Sequence, residues 1–154
     1  MTCGGAVNVE FSAVRQEDAE DLVRLRIAAM RESLERLGRF DPQRARDRFL
    51  STFSPAHTRH VLADGQRVGF VVIRPDGEDL LLDHLYILPA WQGAGIGSLV
   101  LRDVFRQADA LGKSVRVGAL KGSDSNRFYL RHGFVLVREE EWDNYYIKAA
   151  GTMA

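Results

Sequence analysis

The stretch Gln92-Gly93-Ala94-Gly95-Ile96-Gly97-Ser98 sets glycines at alternate positions between one apolar run and another. A loop that opens a helix leaves several backbone N–H groups without intrahelical partners. The helix macrodipole adds about half a positive charge at the same end. Small side chains let an anion reach those donors, so the segment suits a phosphate or pyrophosphate. A dinucleotide loop, G-x-G-x-x-G, needs a third glycine where Ser98 stands, and an acidic residue about 20 positions on, where "SVRVGAL" has none. A nucleoside-triphosphate loop needs Gly-Lys-Ser/Thr, whereas Gly97 is followed directly by Ser98. The pattern that fits is Gln/Arg-x-x-Gly-x-Gly/Ala, met by Gln92 to Gly97.

The elements that must position this loop follow from periodicity. Residues 8–14 alternate as a first strand. Val23, Ile27, Met30, Leu34 and Leu37 recur in steps of four and three, which predicts a helix from Gln16 to Leu37, with Arg24, Arg31 and Glu35 toward water. Gly38 ends it, and Asp41 caps a second helix that starts on Pro42 and runs to about Thr52. "HVLADGQRVGFVVIR" reads as two strands joined at Asp64-Gly65. Residues 77–88 are apolar on both faces, as a central strand would be. A helix over 96–111 sets Ile96, Val100, Val104, Ala108 and Leu111 on one face. A strand over 114–120, a short helix over 123–132 stopped by Gly133, and a closing hairpin complete a mixed α/β chain.

The 154 residues read as one domain, 1–154, long enough to bury a core. Lys plus Arg and Asp plus Glu are equal at 21 each, so no global charge draws the chain to nucleic acid or a membrane. Basic residues recur after the glycines, at Arg102, Lys113, Arg116, Lys121, Arg127 and Arg131, enough for one anionic ligand. No run approaches the length of a membrane span, and the N-terminus lacks a signal-peptide pattern, so a cytoplasmic location is expected. Cys3, the single cysteine, allows no internal disulfide and no metal cluster. His57 and His60 lack further ligands nearby, so no metal is expected.

From Val9 to Lys148 the chain resembles the GCN5-related N-acetyltransferase superfamily. The resemblance is carried by "HLYILPAWQGAGIGSLVL", then "NRFYLRHGF" with its Phe-Tyr helix and Gly133-Phe134 step. It implies a mixed, mostly antiparallel sheet of roughly six or seven strands flanked by about four helices, with two parallel central strands splayed apart. It also implies acetyl-CoA as cosubstrate and an amine of a small molecule or peptide as acceptor. Residues Gln92, Gly93, Ala94, Gly95, Ile96, Gly97 and Ser98 would hold the pyrophosphate, and Ile87, beside Leu85, would pair its backbone with the pantetheine arm. Tyr129 matches the tyrosine that many members place beside the thioester sulfur, where a phenol could donate to the leaving thiolate. Members often keep an asparagine about two turns earlier; Gly122 stands there, leaving Asn126 or Ser123 as substitutes.

The amine arrives mostly as ammonium and needs a base. Asp83 and His84 are the ionisable groups between Leu80 and Leu88. Simple alternation puts Asp83 on the face of Leu85 and Ile87; a bulge would exchange it with His84. The acceptor pocket would be walled by the first helix, the segment after it and the last hairpin. Arg26, Met30, Arg31, Trp142, Tyr145 and Tyr146 would lie within reach. Glu139-Glu140-Glu141 would draw in a cation or form a solvated hairpin tip, and an arginine-rich first helix would favour a carboxylate-bearing acceptor. A non-catalytic acyl-CoA-binding module would keep the loop but need neither Tyr129 nor a base. Such domains often form homodimers, and the terminal hairpin offers an edge.

Overall fold

A strand apolar on both faces has to lie inside the sheet. In the computed structural model, which describes residues 7–38 and 40–151, it lies at the middle. The elements in chain order are β1 (Val9–Ala13), α1 (Ala19–Arg36), α2 (Pro42–Thr52), β2 (Thr58–Ala63), β3 (Gln66–Asp76), β4 (Asp79–Ile87), α3 (Ile96–Leu111), β5 (Val115–Leu120), α4 (Ser125–Arg131), β6 (Val135–Glu139) and β7 (Asp143–Lys148). They form one seven-stranded sheet ordered β1-β2-β3-β4-β5-β7-β6, antiparallel throughout except for β4 against β5. Cys3 lies outside the described residues. No described helix is long and apolar enough to cross a membrane.

Local chemistry sets the element ends. Asp41 accepts from the Arg44 N–H at 3.1 Å, with Pro42 at the first helical position of α2. The β2–β3 turn puts Asp64 at φ 50° and Gly65 at φ 83°, as a two-residue hairpin loop requires. One core packs α3 on the sheet through Val61, Leu82, Val100, Leu101, Val104 and Val117. A second, on the opposite face, joins Leu22, Val23, Leu25, Phe49, Phe70 and Val72 under α1 and α2.

The β4–β5 ladder covers only Leu80–Leu82 against Val115–Val117. Beyond it the two strands part, which is the splay expected between the central strands. A second irregularity sits beside it. The β3–β4 register slips between Val72, opposite His84, and Ile73, opposite Leu82, leaving Asp83 as the extra residue of a bulge. Leu80 and Leu82 before the slip and Leu85 and Ile87 after it therefore all meet the α3 core. Alternation had put Asp83 on that face. The bulge does not exchange it with His84: His84 stays on the face opposite Leu85, against Phe49 and Phe70, while Asp83 leaves the core face and turns toward Arg74.

Two other expectations are corrected. Helix α1 buries Leu22, Val23, Leu25 and Arg26, whereas Met30 and Leu34 line a cleft and Leu37 is exposed, because its C-terminal half overhangs that cleft rather than the core. Leu111, at the last position of α3, is 61% exposed. The closing hairpin forms as expected, with β7 beside β5 and β6 at one edge of the sheet.

At Gly69 a Cβ would stand 2.2 Å from the Tyr86 carbonyl oxygen and 2.8 Å from the Ile87 side chain. Gly69→Ala is therefore expected to destabilise the fold by about 1–3 kcal/mol. A urea midpoint that falls with unchanged slope would show this.

Candidate active site

The loop after β4 ends on Gly93 at φ 83° and Gly95 at φ 81°, a left-handed geometry that a Cβ would strain. Space above both glycines is open to 4 Å. Among the described residues, the N–H groups of Gly93, Ala94, Gly95, Ile96, Gly97 and Ser98 donate to no backbone acceptor. Six consecutive unpaired amides at the positive end of α3 make a concave anion cradle. Ile96 is buried, so its backbone alone faces the cradle.

Three residues of this segment serve its shape. Gln92 donates from its amide to the Ile87 carbonyl at 2.9 Å, tying the loop to the end of β4 instead of reaching for an anion. Gly97 has ordinary φ; a Cβ there would come within 3.0 Å of the Phe128 ring, so its smallness admits α4. His132 Nδ1 donates to the Phe128 carbonyl at 2.9 Å, which leaves Nε2 to accept from the Ser98 hydroxyl at 2.8 Å. Ser98 and His132 thus strut α3 against α4.

A cleft of about 1010 Å³ opens where β4 and β5 part, bounded by α1, α2, β5 and the closing hairpin. Asp83, His84, Leu85, Ile87, Gln92 and Tyr129 all line it. Tyr129 is 6% exposed, and no described residue hydrogen-bonds its hydroxyl, although its ring packs on Phe128, Phe134 and Tyr146. Burial raises its pKa well above the ordinary phenol value, so it stays protonated at any physiological pH. Asn126 is fully engaged elsewhere. Its Nδ2 donates to the Leu120 and Ser123 carbonyls at 2.9 and 3.0 Å, and its Oδ1 accepts from Tyr146 and Asn144 at 2.7 and 3.0 Å. It binds α4 to β5 and β7 and does not line the cleft, whereas Ser123 does.

Asp83 Oδ2 accepts from Arg74 Nε at 2.8 Å and lies 3.9 Å from His84 Nε2. His84 is ringed by Phe49, Phe70 and Tyr86. Burial is the main reason its pKa falls to about 4; Asp83 opposes this, and Arg26, Arg74 and Arg48 add to it. The imidazole is neutral at pH 7. Sequence reading missed Tyr86, whose hydroxyl stands 3.4 Å from both His84 Nδ1 and Arg26 Nε. It also missed Arg74 as the partner of Asp83. The i, i+2 spacing of His84 and Tyr86 on one strand was the available signal for Tyr86. Of the expected acceptor residues, Arg26, Met30, Tyr145 and Tyr146 line the cleft. Arg31 pairs instead with Glu35, and Trp142 sits 51% exposed on the outer hairpin.

A strand leaving its parallel neighbour, an amide cradle at the helix it feeds and a tyrosine beneath both define an acyl-CoA-dependent transferase architecture. Residues 56–136, more than half of the chain, match the family model described as "Acetyltransferase (GNAT) domain". The chain belongs to the GNAT acetyltransferase family, whose cosubstrate is acetyl-CoA. No curated protein sequence matches it. Solved structures share its fold at low identity. The PaiA N-acetyltransferase of Thermoplasma acidophilum, in complex with coenzyme A, aligns with TM-score 0.76 at 16% identity, covering 92% of this chain and 99% of its own. The ribosomal-protein-S18-alanine N-acetyltransferase of Escherichia coli aligns with TM-score 0.72 at 11% identity, covering 96% and 97%. An acetyltransferase of Thermus thermophilus gives 0.73 at 18%, covering 92% and 97%.

Two outcomes follow. Asn126→Ala strands the Tyr146 hydroxyl and the Asn144 side-chain amide, so unfolding free energy should drop by about 1–3 kcal/mol, measurable by chemical denaturation. The folded pKa of His84, about 4, lies below the free imidazole's 6.5, so the unfolded chain binds the extra proton. Its contribution is complete above about pH 6.5 and is lost as pH falls toward about 4, on the order of 3 kcal/mol in all. His84→Gln should flatten that acid limb in unfolding curves recorded at pH 7 and pH 4.5.

Proposed function

We propose that the chain transfers the acetyl group of acetyl-CoA directly to a primary amine of a small molecule. The observation that carries this reading is the row of six unpaired amides, 93–98, at the start of α3, directly after Gln92, which lines the same cleft as Tyr129. The cradle fits a pyrophosphate in charge and concavity. Past Leu82 the backbone of β4 has no partner on its β5 side. Leu88 N–H turns to Val68 on β3 at 2.8 Å, so by alternation the Ile87 N–H turns into the gap, where a pantetheine amide can pair with it beside Leu85. Helices α1 and α2 wall the opposite side, which favours a compact acceptor over an extended polypeptide.

Bound acetyl-CoA would supply an activated thioester, whose acetyl group becomes the amide of the product as CoA departs as its thiolate. Tyr129 keeps its proton and donates a hydrogen bond to the sulfur as charge develops there. His84, neutral on arrival of the amine, takes a proton from it, and Asp83 at 3.9 Å steadies the imidazolium. No enzyme-bound acetyl is required. The Ser98–His132 and Ser54–His57 pairs both lie off the cleft lining.

Calorimetry with CoA tests the cradle: Gly95→Val, strained at φ 81°, should weaken binding at least tenfold. Tyr129→Phe should lower kcat by about 100-fold in a thiol-release assay while leaving the KM for acetyl-CoA nearly unchanged. Full turnover in that variant would reduce Tyr129 to packing.

A further inference from the structure

Five arginines line the cleft, and they divide into two kinds. Arg116 donates to Asp79 at 2.7 Å, and Arg138 donates to Glu140 at 2.7 Å. Arg26, Arg44 and Arg48 have no carboxylate within ion-pair distance among the described residues, in a chain that pairs most of its exposed guanidinium groups. All three sit on the α1–α2 wall. Arg44 and Arg48 are one turn apart on α2, and Arg26 reaches from α1 to donate to the Ala45 carbonyl between them at 2.5 Å. Arg26 is also 8% exposed, a guanidinium largely removed from water with no counter-charge. Such a charge is costly until an anion supplies the missing partner.

We propose that the acceptor is a small amine bearing a carboxylate, which Arg26 and Arg48, with Arg44 at the rim, hold while the amine faces His84. This rests on the acetyl-transfer reading above. A recess of about 260 Å³ off the main cleft brings Arg26 and Arg48 together with Asp83 and His84, so anion and amine sites share one small chamber. Its carboxylate does not cancel the arginines, because Asp83 is already bound by Arg74. Asp41, the other acid at this end, caps α2. The balance repels a purely cationic amine and attracts an anionic group, for which a guanidinium fork offers two parallel hydrogen bonds.

The same charges act on the base. His84 is faced by Arg26 from α1, Arg48 from α2, Arg74 from β3, and Asp83 and Tyr86 on its own strand. A carboxylate that cancels Arg26 and Arg48 removes two of the pulls that keep the imidazole from accepting a proton. The acceptor's carboxylate thereby improves the group that deprotonates its amine.

The test compares amino acids with their own carboxamides, alongside putrescine and O-phosphoethanolamine, in a thiol-release assay with acetyl-CoA. The same panel is titrated calorimetrically into CoA-loaded protein, so the preference is read even without turnover. The acids should exceed their amides at least tenfold in kcat/KM or in affinity. Arg48→Gln, on the exposed face of α2, should erase most of that ratio through KM while CoA affinity stays unchanged. Arg26→Lys is the companion variant, since Arg26 also ties α1 to α2. Equal or better use of amides or putrescine overturns the proposal, as does a ratio that Arg48→Gln leaves intact. A preference for O-phosphoethanolamine over every acid replaces carboxylate by phosphate and overturns it too. Loss of CoA binding by the unaltered protein would instead overturn the acetyl-transfer reading itself.

Discussion

Two parallel strands bonded over only three residue pairs, Leu80–Leu82 with Val115–Val117, create the opening on which the whole site depends. A parallel pair that stayed in register would satisfy its backbone internally and leave no room between α1 and α4. Because β4 and β5 part, the sheet carries backbone groups that only a ligand or water can satisfy, next to amides that α3 cannot satisfy either. The slip at Asp83 adds to this. One extra residue keeps Leu85 and Ile87 on the α3 core while sending His84 and Tyr86 to the opposite wall. On the function proposed above, the two faces of β4 then serve cofactor and acceptor within a single strand.

An opening in the middle of a sheet has to be braced at its far bank. Helix α4 has seven residues and little intrinsic stability, yet it carries Tyr129. Two polar fixtures hold it. Asn126 gathers Leu120, Ser123, Asn144 and Tyr146 around its amide, and His132 links the Phe128 carbonyl to Ser98 at the start of α3. The Phe128 ring then lies against Gly97. The anion cradle and the buried phenol are consequently parts of one rigid corner, positioned by hydrogen bonds that a loop of ordinary composition would lack.

The sequence made the element order and the glycine loop legible because each rests on local rules: Asp41 before Pro42, Asp64-Gly65 between alternating runs, and small residues where a helix opens. Tertiary placement was legible only where one segment carried it alone, as in β4. The face of Asp83 was not readable, since alternation fails at a bulge that depends on the pairing with β3, whereas His84, on the face opposite Leu85, follows alternation. The roles of Asn126, Ser98 and Gln92 were masked for a related reason. A polar side chain beside a ligand loop looks the same in sequence whether it meets the ligand or holds the loop, and all three hold it. Arg26 shows the converse. On a helical wheel it borders the apolar face of α1, and contacts with α2 and Tyr86 bury it.

The six unpartnered amides also tie the durability of the folded chain to what fills them. A ligand that binds the native cradle and not the unfolded chain adds about 2.7 kcal/mol of stability at a hundredfold excess over its Kd. That is a large fraction of the margin of a small domain. Degradation of such a protein tracks the small share of copies that open. A cell rich in the ligand would therefore hold more of this chain, for longer, with no change in its synthesis, and abundance itself would report the supply of the molecule it consumes.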